Sequence, residues 1–184
     1  MTAETLYIST YLGNRFYPLE RRIDRVDIED IAHGLAFQCR FNGQTRDFYS
    51  VAQHSLMVAR LVPVHQRRAA LLHDACEAYL GDVVKPLKPL LGDYVALEDA
   101  VTRQIAETFG VDFGDYRAIK RADLVALATE KRDLMPHSTE PWSYLVGIKP
   151  LPEAIEPMHP AQAKQAFLPA WADSQAQMTL PLVP

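Results

Sequence analysis

The stretch Ala70-Leu-Leu-His73-Asp74-Ala-Cys76-Glu77-Ala-Tyr79-Leu-Gly81-Asp82 decides how the rest of the chain is read. It is an apolar, helix-forming run interrupted by one histidine and two carboxylates. Leu71, Leu72 and Leu80 place it in the interior, where an unpaired charge is costly. Buried titratable groups need partners, and a metal ion is the simplest partner for a His beside an Asp. If residues 64–80 form one helix, His73 and Glu77 are four apart on one face, with Asp74 about 100° away. A metal above that face can take His73 and Asp74 and leave Glu77 for a nearby water. The competing reading is a surface helix with a chance His-Asp pair.

Composition sets the background. The chain has 184 residues, 48% hydrophobic and 23% charged, which is ordinary for one globular domain with a sizeable core. A net charge of -4 and a pI near 5.8 speak against general binding to nucleic acid or to an anionic membrane. Cys39 and Cys76 have neither disulfide-framework nor zinc-finger spacing and suit a reducing compartment. With no signal-like N-terminus and no long apolar run, the expected location is the cytoplasm.

The spacing predicts a mostly helical single domain over 1–184, entered by a β-hairpin at residues 6–19 that turns at Leu12-Gly13-Asn14. Asp27 is the expected N-cap of a helix carrying Ile28, Ile31 and Leu35 on one face. Ser50 and Gln53 form a capping-box pair ahead of a helix at 51–62, which Pro63 ends. After the helix at 64–80, residues 82–92 form a rigid, basic, proline-rich loop. Amphipathic helices follow at 94–109 and at 116–135, the second capped by Asp115. Pro136, Pro141, Pro150, Pro152, Pro157 and Pro160 mark an extended strap. The last helix spans about 160–173, with Pro169 as a kink.

Two further ligands for a metal at His73-Asp74 come from neighbouring helices. His54 lies on the apolar stripe of helix 51–62, one helix earlier. Asp123 sits among Ile119, Ala122, Ala126 and Leu127, an inward position that costs energy without a cation. A salt bridge to Lys120 or Arg121 is the alternative for Asp123. His33, His65, His137 and His159 are weaker candidates.

The resulting set, His54, His73-Asp74 and Asp123, resembles the HD-domain metal-dependent phosphohydrolases. Gln53-His-Ser-Leu-Met-Val-Ala59 is similar to their first metal helix. His73–Asp82 and Ile119-Lys-Arg-Ala-Asp123 are similar to motifs of the 5′-deoxynucleotidase branch. Asp30-Ile-Ala-His33, Cys39-Arg-Phe41, Phe48-Tyr-Ser-Val-Ala52 and Glu77–Val83 resemble short phage-type HD enzymes that include dATP triphosphohydrolases. The likeness covers residues 5–135.

It implies an all-α HD helical bundle holding one divalent ion (Zn, Co, Mn, Fe or Mg) on His54, His73, Asp74 and Asp123. Glu77 and Asp82 match catalytic carboxylates. Arg40 and Phe41 match an Arg-Trp substrate pair, and Lys88 and Lys120 match phosphate contacts. Lys85 is a candidate from position alone. The implied substrate is a deoxynucleotide, either a triphosphate cleaved to deoxynucleoside and tripolyphosphate or a monophosphate cleaved to deoxynucleoside and phosphate. A catalytically idle nucleotide-binding module is the rival of another class. A homo-oligomer without nucleic-acid or membrane partners is expected.

Overall fold

A computed structural model describes residues 6–114, 116–138 and 140–179. The expected hairpin is there, as Ile8–Ser9 (β1) against Arg15–Tyr17 (β2), but a third strand, Arg22–Ile23 (β3), extends it to an antiparallel sheet in the order β1-β2-β3. The third strand was missed because only two residues, Arg22 and Ile23, pair, too few to show an alternation. Everything else regular in the described residues is helical.

Asp27 caps Ile28–Phe37 (α1) by accepting from the Glu29 amide. Asp30, within this helix, is turned onto the hairpin instead, accepting from the Leu12 amide at 2.7 Å and from the Thr10 and Asn14 side chains. Ser50 caps Val51–Leu61 (α2) by accepting from the Gln53 amide. The capping box is only half formed, because the Gln53 side chain bonds Glu156 and Met158 of the strap. Eight of the residues of α2 are buried, and they lie all round it. That is the mark of a central helix, and α2 packs on α1, on Arg67–Leu71 (α3), on Arg117–Asp133 (α6) and on Pro160–Thr179 (α7).

The helix expected over 64–80 is not continuous. A 3-10 turn at Val64–Gln66 leads into α3, residues 72–76 coil through turns, and Glu77–Leu80 (α4) closes the segment. Through the break the backbone bonds run from Leu72 to Ala69, Ala75 to Leu72 and Glu77 to Asp74, one residue tighter than an α-helix. The His73 Nδ1–H donates to the Ala70 carbonyl at 2.7 Å and so uses a group that a regular helix would have bonded to the Asp74 amide. Face arithmetic at 100° per residue therefore does not apply between His73 and Glu77. Gly34 of α1 lies against Ala78 of α4 so closely that a Cβ would stand 2.8 Å from the Ala78 carbonyl oxygen.

The loop after Gly81 contains a short 3-10 turn, Lys88–Leu90, and Gly92–Phe109 (α5) starts two residues earlier than expected, ending at a left-handed Gly110. The cap expected at Asp115 lies outside the described residues. The proline-rich stretch contains a 3-10 turn at Ser143–Leu145 and is tied to α6: Leu151 N–H donates to Thr129 Oγ1 and Ile155 N–H to Asp133 Oδ2, at 2.9 Å each. Helix α7 runs on to Thr179 with Pro169 inside it, and Phe167 and Trp171 are buried in the core.

Candidate metal centre

Two helices and the coil between α3 and α4 bring the cluster together. Central helix α2 supplies His54, wholly buried. The coil supplies His73 and Asp74, and the first turns of α6 supply Asp123. The Nε2 atoms of His54 and His73 are 3.3 Å apart. Asp123 Oδ1 is 3.3 Å from His54 Nε2, and Asp74 Oδ2 is 3.2 Å from His73 Nε2 and 3.6 Å from His54 Nε2. His54, His73 and Asp123 can together hold a metal ion, their ligand atoms lying within 4.8 Å of one another.

The donor set fits a cation on its own chemistry. His54 Nδ1 faces the Glu130 carboxylate at 2.6 Å and His73 Nδ1 faces a carbonyl, both pure acceptors, so both rings carry their proton on Nδ1. Two bare Nε2 lone pairs and the Asp123 carboxylate then face one another, with Asp74 Oδ2 beside both nitrogens, while Arg40 and Lys120 touch the carboxylates. The two facing nitrogens, 3.3 Å apart, need a positive charge between them, a metal ion or a proton, to be favourable. In the metal-free protein His54 takes that role: burial and Arg40 disfavour its protonation, but Glu130 and Asp123 outweigh them and push its pKa up to about 9. Burial likewise works against the Asp74 and Asp123 carboxylates, and the histidines overcome it, holding both well below the usual carboxylate range.

Glu130 is the functional residue that sequence reasoning missed. It is wholly buried, and its second oxygen accepts from the Arg40 guanidinium at 3.2 Å. It orients His54 as a second carboxylate behind a ligand histidine does. The available signal was its place seven residues after Asp123, two turns along the same face of α6.

Glu77, at the start of α4, is 6% exposed, and its Oε2 is buried without a hydrogen-bond partner. Burial, then Asp74 and Asp82, hold its pKa well above the carboxylate range. Burial raises Asp82 as well, with Arg40 opposing and Asp74 adding to it. Arg40 Nη1 lies 3.6 Å from Asp74 Oδ2, so the guanidinium bridges the cluster and Glu130. Its neighbour Phe41 has φ 55°, a left-handed backbone that costs a bulky residue about 1–2 kcal/mol.

The lysines divide. Lys120 Nζ is 3.1 Å from Asp123 Oδ2, so the salt bridge weighed against a metal role for Asp123 exists alongside its contact with His54. Lys88 is paired with Glu98 at 2.7 Å, and Lys85 lies over the Tyr144 ring at 5.1 Å. The other histidines stay outside the cluster: His33 stacks between Tyr11 and Phe37, and His65, His137 and His159 are exposed.

Among the described residues no helix is long and apolar enough to cross a membrane. No protein-family model matches the chain. The chain is 40% identical over 169 residues to YfdR of Escherichia coli (strain K12), a match spanning 91% of this chain and 94% of YfdR. It is also 40% identical over 174 residues to RCAP_rcc00048 of Rhodobacter capsulatus, spanning 84% of this chain and 88% of that protein. Both relatives are uncharacterized proteins. At this identity and coverage the chain belongs to the same family as YfdR.

Proposed function

We propose that this member of the YfdR family is an HD-domain phosphohydrolase that takes one divalent ion and cleaves deoxynucleoside triphosphates to deoxynucleoside and tripolyphosphate. One observation carries the reading: two donor-free imidazole nitrogens face one another with two carboxylates beside them. Beside that cluster stand a buried carboxyl with a free oxygen and a buried guanidinium.

His54, His73, Asp74 and Asp123 would hold the ion. When bound, such an ion supplies Lewis acidity towards a phosphoryl oxygen and an attacking water that deprotonates near neutral pH. The chain's own groups do the rest. Glu77 Oε2 takes the proton of the attacking water as its oxygen bonds to the α-phosphorus. The bond from that phosphorus to the 5′ oxygen breaks, and the leaving oxygen receives a proton. The raised pKa of Glu77 suits a group that first takes and then returns a proton near neutrality. Arg40, held by Glu130, offsets charge growing on the phosphoryl oxygens. Lys120 and Lys85 add positive charge around the mouth, and Asp82 tunes Glu77.

Incubation of the purified protein with Mn²⁺, Co²⁺ or Zn²⁺ and panels of dNTPs and dNMPs, with products separated by chromatography, tests this. Release of tripolyphosphate supports it. Orthophosphate from dNMP alone reassigns the protein as a 5′-deoxynucleotidase. No turnover with any metal overturns an enzymatic role and leaves a nucleotide-binding module.

A further inference from the structure

The proline-rich strap does more than tie helices together. Its 3-10 turn, Ser143–Leu145, is flanked by Trp142 and includes Tyr144, so that the Trp142 ring lies beside Phe41 and the Tyr144 ring beside Trp142. The Phe41 and Trp142 centroids are 6.1 Å apart, and those of Trp142 and Tyr144 are 5.9 Å apart, tilted by 42° and 37°. Each ring has a cation against it: the Arg40 guanidinium is 5.3 Å from the centre of Phe41, Lys131 Nζ is 5.1 Å from Trp142, and Lys85 Nζ is 5.1 Å from Tyr144. Lys131 also donates to the Glu140 carbonyl at 2.8 Å, which pins the start of the turn. The row begins at the metal centre, since Arg40 reaches Asp74. It ends in solvent, since Tyr144 is 40% exposed.

A row of aromatic rings leading outward from a phosphate-compatible centre has the chemistry of a base-stacking platform. Every nucleobase presents a π-face, and side-chain rings bind it without needing hydrogen-bond readout. The rings are too close for a base to slide between them, so a base would stack from the solvent side, where Tyr144 is exposed and Trp142 half-buried. The left-handed backbone of Phe41 and the anchoring by Lys131 hold the platform ready before a ligand arrives.

We infer that Trp142 and Tyr144, supplied by the strap, form with Phe41 the platform on which the base of a nucleotide stacks while its phosphates face the metal centre. This rests on the nucleotide reading of the site but is tested by binding rather than turnover. Calorimetric titration in Mn²⁺ compares dATP with inorganic tripolyphosphate on the wild-type platform, on Trp142→Ala, on Tyr144→Ala and on Trp142→Phe, each in the Glu77→Ala background, so that no dATP is cleaved during the titration. The expected result is that dATP binds the wild-type platform about tenfold or more tightly than tripolyphosphate. Either alanine variant removes most of that advantage without changing tripolyphosphate affinity, and Trp142→Phe restores part of it. A dATP advantage that survives in both alanine variants, or is absent with all three rings in place, overturns the platform. Loss of tripolyphosphate affinity in the alanine variants also overturns it, because it shows disruption of the whole site rather than of base stacking. Turnover is scored separately, with Glu77 intact: a platform confirmed in a protein that cleaves no nucleotide sinks the catalytic reading and leaves the platform standing.

Discussion

Glu130 Oε1 stands 2.6 Å from His54 Nδ1, with both side chains wholly buried, and the other oxygen of Glu130 holds Arg40. One carboxylate thereby sets the tautomer of a candidate ligand and the position of the candidate phosphate-binding guanidinium. Burial costs Glu130 much of its preference for charge, but Arg40 and His54 more than restore it and keep its pKa low.

Glu130→Gln should keep the fold and lower divalent-metal affinity by about 10–100-fold, read by titration calorimetry with Mn²⁺. Glu130→Ala should be far more damaging, on the order of 3–5 kcal/mol by denaturant melts, because it leaves the buried Arg40 with only its longer contact to Asp74 and His54 without its Nδ1 partner.

The roles of Asp74 and Glu77 separate cleanly. Asp74→Ala and Glu77→Ala should both abolish turnover, but only Asp74→Ala should also lose the metal. Metal loss in Glu77→Ala, seen by atomic absorption after dialysis, would show that Glu77 is a ligand.

The pH dependence follows from signs. Burial, Asp74 and Asp82 all raise Glu77, so under the proposed reaction kcat/KM should fall on its acidic side at a pH above the ordinary carboxylate range. Removing one of those negative charges lowers the Glu77 pKa, so Asp82→Asn should move that limb to lower pH. A limb that stays put, or moves up, means that another group titrates.

Chelation should destabilise the protein. Four acceptors lose the cation that holds them, and metal at about 100 times its Kd contributes about 2.7 kcal/mol, worth roughly 5–10 °C for a domain of this size. An unchanged melting temperature after EDTA treatment, with the histidines intact, argues against a resident metal.

Gly34→Ala tests the seating of α4. The added methyl meets the backbone of Ala78, which cannot swing away as a side-chain tip can. The expected cost is about 1–3 kcal/mol, a fall of roughly 3–10 °C in melting temperature, together with reduced turnover as Glu77 shifts.

His54, His73 and Asp123 were legible before any coordinates, because a titratable group inside an apolar pattern announces itself as soon as its neighbours are counted. The N-caps at Asp27 and Ser50 and the stop at Gly110 were legible for the same local reason. Glu130 was not, although it lies on the face of Asp123. Nothing in a one-dimensional pattern says that a glutamate two turns away meets a histidine on another helix rather than solvent.

The helical character, the inward histidines and carboxylates, and the proline-rich strap follow from periodicity, capping or the missing N–H of proline, all of them local. The path of the His73-Asp74 stretch, by contrast, depends on packing between distant segments. Propensity favours one helix from 64 to 80, but that stretch coils between α3 and α4 with the His73 ring bonded to the Ala70 carbonyl and its Nε2 aimed at His54. Tertiary packing also returns the strap to the site and sets Trp142 beside Phe41, a contact across about a hundred residues that no local rule encodes.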